Sequence, residues 1–225
     1  TGGYLTYIDA VKIRPKKHTV HYDANGGTGA PSDQTKQEGI TLTLRTKKPT
    51  KTGWTFKYWV ASIGGHYNPG GSYTHDQDGG VVTMKAHWKD ETAPSLSDFY
   101  AIPNYWSAGN GTIGFTVQDE GSGITSIVLE RYSYVTRSWN TVRTWSYGGT
   151  TSVISKTLSE TSEGVFKYRL TVTDKAGNTA TRTSDTIYLD HSNPVHYGME
   201  NTNKEWTNIA PVINVSATDY LYGTT

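Results

Sequence analysis

Gly109-Asn-Gly-Thr-Ile-Gly114 spells G-x-G-x-x-G, the loop that brings backbone amides close to a dinucleotide pyrophosphate. That chemistry needs a strand before the glycines and a helix after them, so that a helix N-terminus faces the phosphates. Here the glycines run straight into Ile113, Phe115 and Val117 alternating with polar residues, which is a strand. The motif therefore carries no nucleotide chemistry. The seven histidines fare no better as metal ligands. His18 and His21 are three apart in a predicted strand, so they point to opposite faces and cannot chelate one ion. His66 and His75 lie in a glycine-rich stretch, His87 alternates with an apolar set, and His191 and His196 flank a linker. All seven read as solvated side chains.

Among the acids, Asp76-Gln-Asp78-Gly79 opens like a calcium loop but lacks the third acidic position and the closing glutamate. The oxygen-rich turns at Asp119, Glu120 and Asp174 are better candidate calcium ligands, because a hard cation takes oxygen donors. Their alternative role is to bond the turn backbone. No other cofactor is expected. G-x-S-x-G, H-E-x-x-H and a Walker lysine are all missing, and the absence of cysteine excludes thiol catalysis, thiolate zinc and a disulfide scaffold. Spacing alone does not exclude a glycosidase-type carboxylate pair. The expectation is a chain that is not an enzyme.

The aromatics offer binding rather than catalysis. Tyr132, Tyr134, Trp139, Trp145 and Tyr147 crowd a stretch that reads as two strands joined near residues 136–140. Ile127 and Leu129 take the core-facing parity, and Tyr132 and Tyr134 take the opposite one unless a bulge resets the register. Exposed aromatic rows stack on sugar rings or anchor protein partners. The alternative is cross-strand pairing that stabilises a long hairpin. These five residues are the candidate surface for a host protein or glycan.

The elements behind these residues are strands. Threonine is the commonest residue, tyrosine and tryptophan are abundant and leucine is scarce, a composition that suits pleated surfaces and argues against helices. Glycine (24) and proline (8) supply turns. Lys+Arg (21) nearly balance Asp+Glu (20), so nothing draws the chain to nucleic acid or to an anionic membrane. No apolar run approaches the ~20 residues that span a bilayer.

A repeat sets the domain organisation. Pro94, Trp106, Ile113 and Asp119 recur 100 residues later as Pro194, Trp206, Ile213 and Asp219. One unit of about 100 residues therefore covers 90–190, and a second copy begins at 191 and stops at 225. Inside the complete unit, short strands alternate with turn signals as in a β-sandwich. Phe166, Tyr168, Leu170 and Val172 alternate with Lys167, Arg169, Thr171 and Thr173, and the strand ends at the turn Asp174-Lys-Ala-Gly-Asn178. Tyr168-Arg-Leu170 resembles strand F of an immunoglobulin-like domain, where a corner tyrosine precedes a disulfide cysteine by two residues. Leu170 stands at that cysteine's place, so the resemblance implies a disulfide-free immunoglobulin-like repeat. Lysine is absent between Asp90 and Ser155, so no Lys–Asn isopeptide bond is expected in this unit.

Residues 18–89 form a different unit. Val20-His-Tyr-Asp-Ala-Asn-Gly-Gly27 reads as a strand entering a glycine turn. In Pro49-Thr-Lys-Thr-Gly-Trp-Thr-Phe-Lys-Tyr-Trp59, Trp54, Phe56 and Tyr58 are expected on one strand face. In Val82-Thr-Met-Lys-Ala-His-Trp88, Val82, Met84, Ala86 and Trp88 share a face. In order and spacing the three blocks resemble the Listeria–Bacteroides repeat, the internalin-type B-repeat, with Trp54 in place of the usual tyrosine and Met84 in place of the usual leucine. The resemblance implies a small β-grasp-like module of extracellular bacterial proteins, and it implies that Trp54, Trp59 and Trp88 fill its core. Residues 1–17 read as a strand over 7–13 and a basic linker, either the end of an upstream domain or an extra edge strand.

The expected fold is mainly β: a β-grasp-like B-repeat, an immunoglobulin-like sandwich and the start of a second one. The expected function is that of a non-catalytic, extracellular spacer or stalk in a Gram-positive surface or secreted protein, monomeric within a longer chain, with adhesion to a host protein or glycan. The alternative is a set of accessory modules of a secreted carbohydrate-active enzyme whose catalytic domain lies elsewhere.

Overall fold

The computed structural model describes residues 14–201 and 213–218. Every described regular element is a strand. The strand expected at residues 7–13 and the repeat positions Trp206 and Asp219 lie outside the described residues. The chain divides into two compact units, one ending at Thr92 and the other beginning at Ala93.

The first unit contains β1 (Lys17–Asp23), β2 (Gln34–Gln37), β3 (Leu42–Thr43), β4 (Thr55–Ala61), β5 (His66–Tyr67), β6 (Ser72–Tyr73) and β7 (Val81–Lys89). Five of them form one sheet in the order β2-β1-β7-β4-β5, and β3 and β6 form a separate pair. The centre is a parallel pairing of β1 with β7, the first and last strands of the unit. Alternation writes the core: Val20 and Tyr22 of β1 and Val82, Met84 and Ala86 of β7 point inward, as the apolar period of two requires. Trp59, Tyr73 and Leu44 complete the cluster, and Trp59 has no exposed surface. Tyr22 and Phe56 each place a ring centroid 5.0 Å from that of Trp59.

Two expectations for this unit change. A register shift between Phe56 and Tyr58 sets Phe56 opposite Trp88 and Tyr58 opposite His87. One extra residue, Lys57, reverses the strand's facing, so Phe56 packs on the core while Tyr58 lies against two exposed imidazoles. Trp54 stays half-exposed outside the buried cluster, with the Lys51 ammonium 4.6 Å from its ring centroid.

The second unit contains β8 (Ser95–Ile102), β9 (Trp106–Ser107), β10 (Gly111–Gln118), β11 (Ile124–Ser133), β12 (Ser138–Thr150), β13 (Ile154–Glu160), β14 (Gly164–Phe166), β15 (Tyr168–Asp174), β16 (Thr179–Thr183) and β17 (Ile187–Leu189). Beyond them β18 (Val195–Asn201) pairs with β19 (Ile213–Thr218). The sheets run β13-β10-β8, β12-β11-β15-β16 and β14-β17-β9. The first two enclose one core, built from Phe99, Ile113, Phe115 and Val117 on one side and Ile127, Leu129, Leu170 and Val172 on the other. Leu170 is fully buried opposite Leu129. Gly111 and Gly114 belong to this packing. A Cβ on Gly111 would lie 2.8 Å from Ile187 Cδ1, and one on Gly114 would lie 2.3 Å from the Tyr100 ring. The G-x-G-x-x-G glycines thus serve β10, and no helix follows them.

Candidate functional site

The longest hairpin of the second unit carries the aromatic residues. β11 and β12 pair in antiparallel register, with Tyr132 opposite Trp139. Their ring centroids are 5.2 Å apart, and Tyr134 stands edge-on to Tyr132 at 5.0 Å. The Arg169 guanidinium lies 4.6 Å from the Trp139 ring centroid, and its Nε donates to Glu130 Oε2 at 2.7 Å. A cation on the ring face and an ion pair behind it hold the indole in place. Tyr134 is half-exposed.

Next to this cluster a groove of about 720 Å³ opens between the hairpin and β14, lined among others by Tyr132, Tyr134, Arg131, Ser133, Asn140 and Phe166. Its inner wall is braced. Arg131 Nη1 donates to Glu160 Oε2 at 3.0 Å, and its guanidinium lies 4.9 Å from the Phe166 ring centroid. The buried Tyr168 hydroxyl donates to the same carboxylate at 2.5 Å. Burial works to raise the Glu160 pKa, but the bonds from Tyr168, Ser162 and Arg131 together hold it below the ordinary glutamate value. Burial first, then the carboxylate beside it, pushes the Tyr168 phenol up. Ring faces plus amide, hydroxyl and guanidinium groups in one groove can meet both the apolar faces and the hydroxyls of a sugar.

The five aromatic residues singled out from the sequence separate into two sets. Tyr132, Tyr134 and Trp139 come together. Trp145 and Tyr147 turn toward the core, half-buried, with Trp145 edge-on to Phe115 at 5.4 Å. Val142 is the cause: the register skips it between Thr141 and Arg143, so positions beyond it change face.

The acidic candidates also separate. Asp119 follows β10 and Asp174 ends β15, and both carboxylates are buried, at 3% and 2% exposure. The turns that hold them are tied together. Lys175 N donates to Gly123 O at 2.9 Å, and Ala176 N donates to Ser122 Oγ at 3.0 Å. Asp119 Oδ2 accepts from Gly123 N at 2.6 Å, while Asp174 accepts from Asn178 N and Nδ2 at 2.7 and 2.8 Å. A carboxylate oxygen of each lies within 4.8 Å of the other. Two anions so close in a buried place repel unless a proton or a cation comes between them. All-oxygen donors of this kind suit a hard cation. Glu120 is exposed.

In the first unit the histidines are not all solvated. His21 is exposed and bonds Asp33 at 2.8 Å. His66 and His87 stack on either side of Tyr58, with centroids at 4.4 and 4.6 Å. His18 departs from the expectation. It is 3% exposed, with Nε2 bonded to the Tyr73 hydroxyl at 3.2 Å and Nδ1 without a partner of hydrogen-bond geometry. Beside it Lys36, 1% exposed, pairs with Asp76. Sequence reasoning missed this group. β2 carries no apolar residue to mark its inward face, and Lys36 and Asp76 lie 40 positions apart.

With this geometry in view, comparison with known families finds one match. Residues 18–87 match the family model described as the Listeria-Bacteroides repeat domain. Domains of that family occur typically in extracellular proteins of the bacterial surface. No curated protein matches the chain. No helix among the described residues is long and apolar enough to cross a membrane.

Proposed function

We propose that this chain is a non-catalytic extracellular segment of a Gram-positive surface or secreted protein, which spaces other domains and presents an adhesive patch to a glycan. The patch is the observation that carries the reading: Tyr132, Tyr134 and Trp139 gathered beside a groove that also holds Arg131, Ser133 and Asn140. The match of residues 18–87 to a repeat typical of extracellular proteins supports the location. Two features support the module types. The parallel pairing of β1 with β7 at the sheet centre suits a β-grasp-like module. The sheets β13-β10-β8 and β12-β11-β15-β16, joined through one core, suit an immunoglobulin-like sandwich. Glycan-array binding by the whole chain tests the proposal. Binding that Trp139→Ala abolishes without changing the melting temperature supports it, and a silent array removes the glycan.

The same patch favours a second reading, accessory modules of a secreted carbohydrate-active enzyme. Binding restricted to an insoluble polysaccharide that a neighbouring catalytic domain degrades would favour it over host adhesion. We also assign Asp119 and Asp174 as calcium ligands that stiffen the end of the sandwich, Glu120 taking no part. The support is their burial and proximity.

A further inference from the structure

We propose that residues 74–80, which join β6 to β7, form an acid-released strap: Asp76 latches it to Lys36 and Gly39 at neutral pH, and a proton on the buried His18 frees it. The strap is fastened at two places. At its end, Gly79 N donates to Lys17 O at 3.0 Å and Thr19 N donates to Gly80 O at 3.1 Å. In its middle, the Asp76 carboxylate takes Lys36 Nζ on one oxygen and Gly39 N at 3.0 Å on the other. Lys36 is 1% exposed, so its ammonium depends on this carboxylate and on Gln37 O at 2.7 Å. A buried cation that loses its partner must either shed its proton or reach water.

His18 lies against this latch. Its ring stands edge-on to Tyr73 at 5.8 Å and to His75 of the strap at 6.3 Å. The groups facing it are Lys36 from β2, His75 and Asp76 from the strap, and Tyr73 from β6, with Tyr67 of β5 behind Tyr73. Lys36 and His75 oppose a charge on His18, and Asp76 alone among the side chains favours it. The Gln77 carbonyl helps a cation too, although it lies outside hydrogen-bond geometry for Nδ1. Burial outweighs these neighbours and holds the His18 pKa below the ordinary imidazole value, so the ring is neutral at physiological pH. Protonation places a second buried cation next to Lys36 and obliges Nδ1 to carry a proton with no acceptor in hydrogen-bond geometry. Water can reach that N–H when the strap lifts. Lifting requires that Asp76, already part-exposed, leaves Lys36 and Gly39 and that Gly79 N leaves Lys17 O. The consequence is a module that loosens over one loop in acid while its apolar cluster of Val20, Trp59 and Met84 stays packed.

Amide hydrogen exchange on the whole chain tests the strap, read at Gly39 and Gly79, whose N–H groups make the two fastenings. After correction for intrinsic rates, both should exchange about tenfold faster near pH 5.5 than near pH 7.5. His18→Phe keeps a ring in the site and cannot take a proton, so the difference should vanish. His75→Gln should leave it in place. Equal protection at the two pH values overturns the proposal, as does a difference that survives His18→Phe or disappears in His75→Gln. If His18→Phe fails to fold, the unsubstituted chain decides. The His18 ring resonances and the Gly39 exchange rate must share one midpoint, and separate midpoints overturn the strap.

Discussion

Trp59→Ala should cost the first unit far more than Trp88→Ala, although both tryptophans stand in sequence blocks that resemble the same repeat. Trp59 is wholly buried between Tyr22 and Phe56. An aromatic side chain buries about 150–250 Å², which at ~25 cal/mol per Å² corresponds to ~4–6 kcal/mol. The figure is an upper bound, because the unfolded chain already hides part of that surface. Its indole Nε1 has no hydrogen-bond partner, so truncation also removes a buried unsatisfied donor and returns about 1 kcal/mol. The net loss is ~3–4 kcal/mol, within the range of large-to-small core changes. Trp88 is only half-buried, and its Nε1 donates to the carbonyls of Ala24 and Asn25 at 3.0 and 3.2 Å, in a turn where water can replace it. Half the area gives about 2 kcal/mol. Native-state hydrogen exchange of the β1 and β7 amides in low urea reads these losses within the unit itself. Equal costs for the two substitutions, or a Trp59→Ala loss under about 1 kcal/mol, would refute the reasoning.

Three further outcomes follow from the second unit. Tyr168→Phe removes a charge-assisted bond to Glu160 and should cost the sandwich about 1.5–3 kcal/mol in urea unfolding at neutral pH. Glu160 has a depressed folded pKa, so its contribution is complete above the unfolded value near 4.5 and is lost as pH falls through the folded value. The acid limb of the sandwich's stability should therefore steepen below about pH 4.5, and Tyr168→Phe should flatten it. Calcium should raise the melting temperature of the whole chain and give a calorimetric binding signal. Asp174→Asn should abolish both, Glu120→Gln should keep both, and a flat titration of the unsubstituted chain removes the site.

Much of the architecture was legible because alternation with a period of two is a local signal. β15 is buried at every second residue from Tyr168 to Asp174, as its sequence implied. β1 and β7 follow the same rule with Val20, Tyr22, Val82 and Met84. What stayed hidden depends on contacts distant in sequence. β2 reads Gln-Thr-Lys-Gln and offers no apolar residue, so nothing local says that Lys36 points inward. Its burial follows from Asp76, and a sequence window cannot see that partner. His18 reads as solvated from the sequence for the same reason, because a histidine in an alternating strand fits either face until Tyr73 is placed against it.

Bulges account for the other misreadings, and they do so in a definite way. Trp139 and Trp145 are six positions apart, an even spacing that assigns both to one face of a regular strand. The extra residue at Val142 converts that even spacing to an odd one, and Trp145 turns to Phe115 while Trp139 remains with Tyr132 and Arg169. Lys57 does the same in β4, dividing Phe56 from Tyr58. In each case one bulge splits an aromatic row into a ring that packs the core and a ring left on the outer face. In β12 the outer ring, Trp139, belongs to the cluster beside the groove. The odd effective spacing of the two tryptophans therefore positions the patch as directly as the aromatic residues do. Deleting Val142 would make Thr141 and Arg143 adjacent and leave Trp139 and Trp145 at an odd spacing in a regular strand, so each ring would keep its face and its partner, and the patch should survive the loss of the bulge with its binding intact.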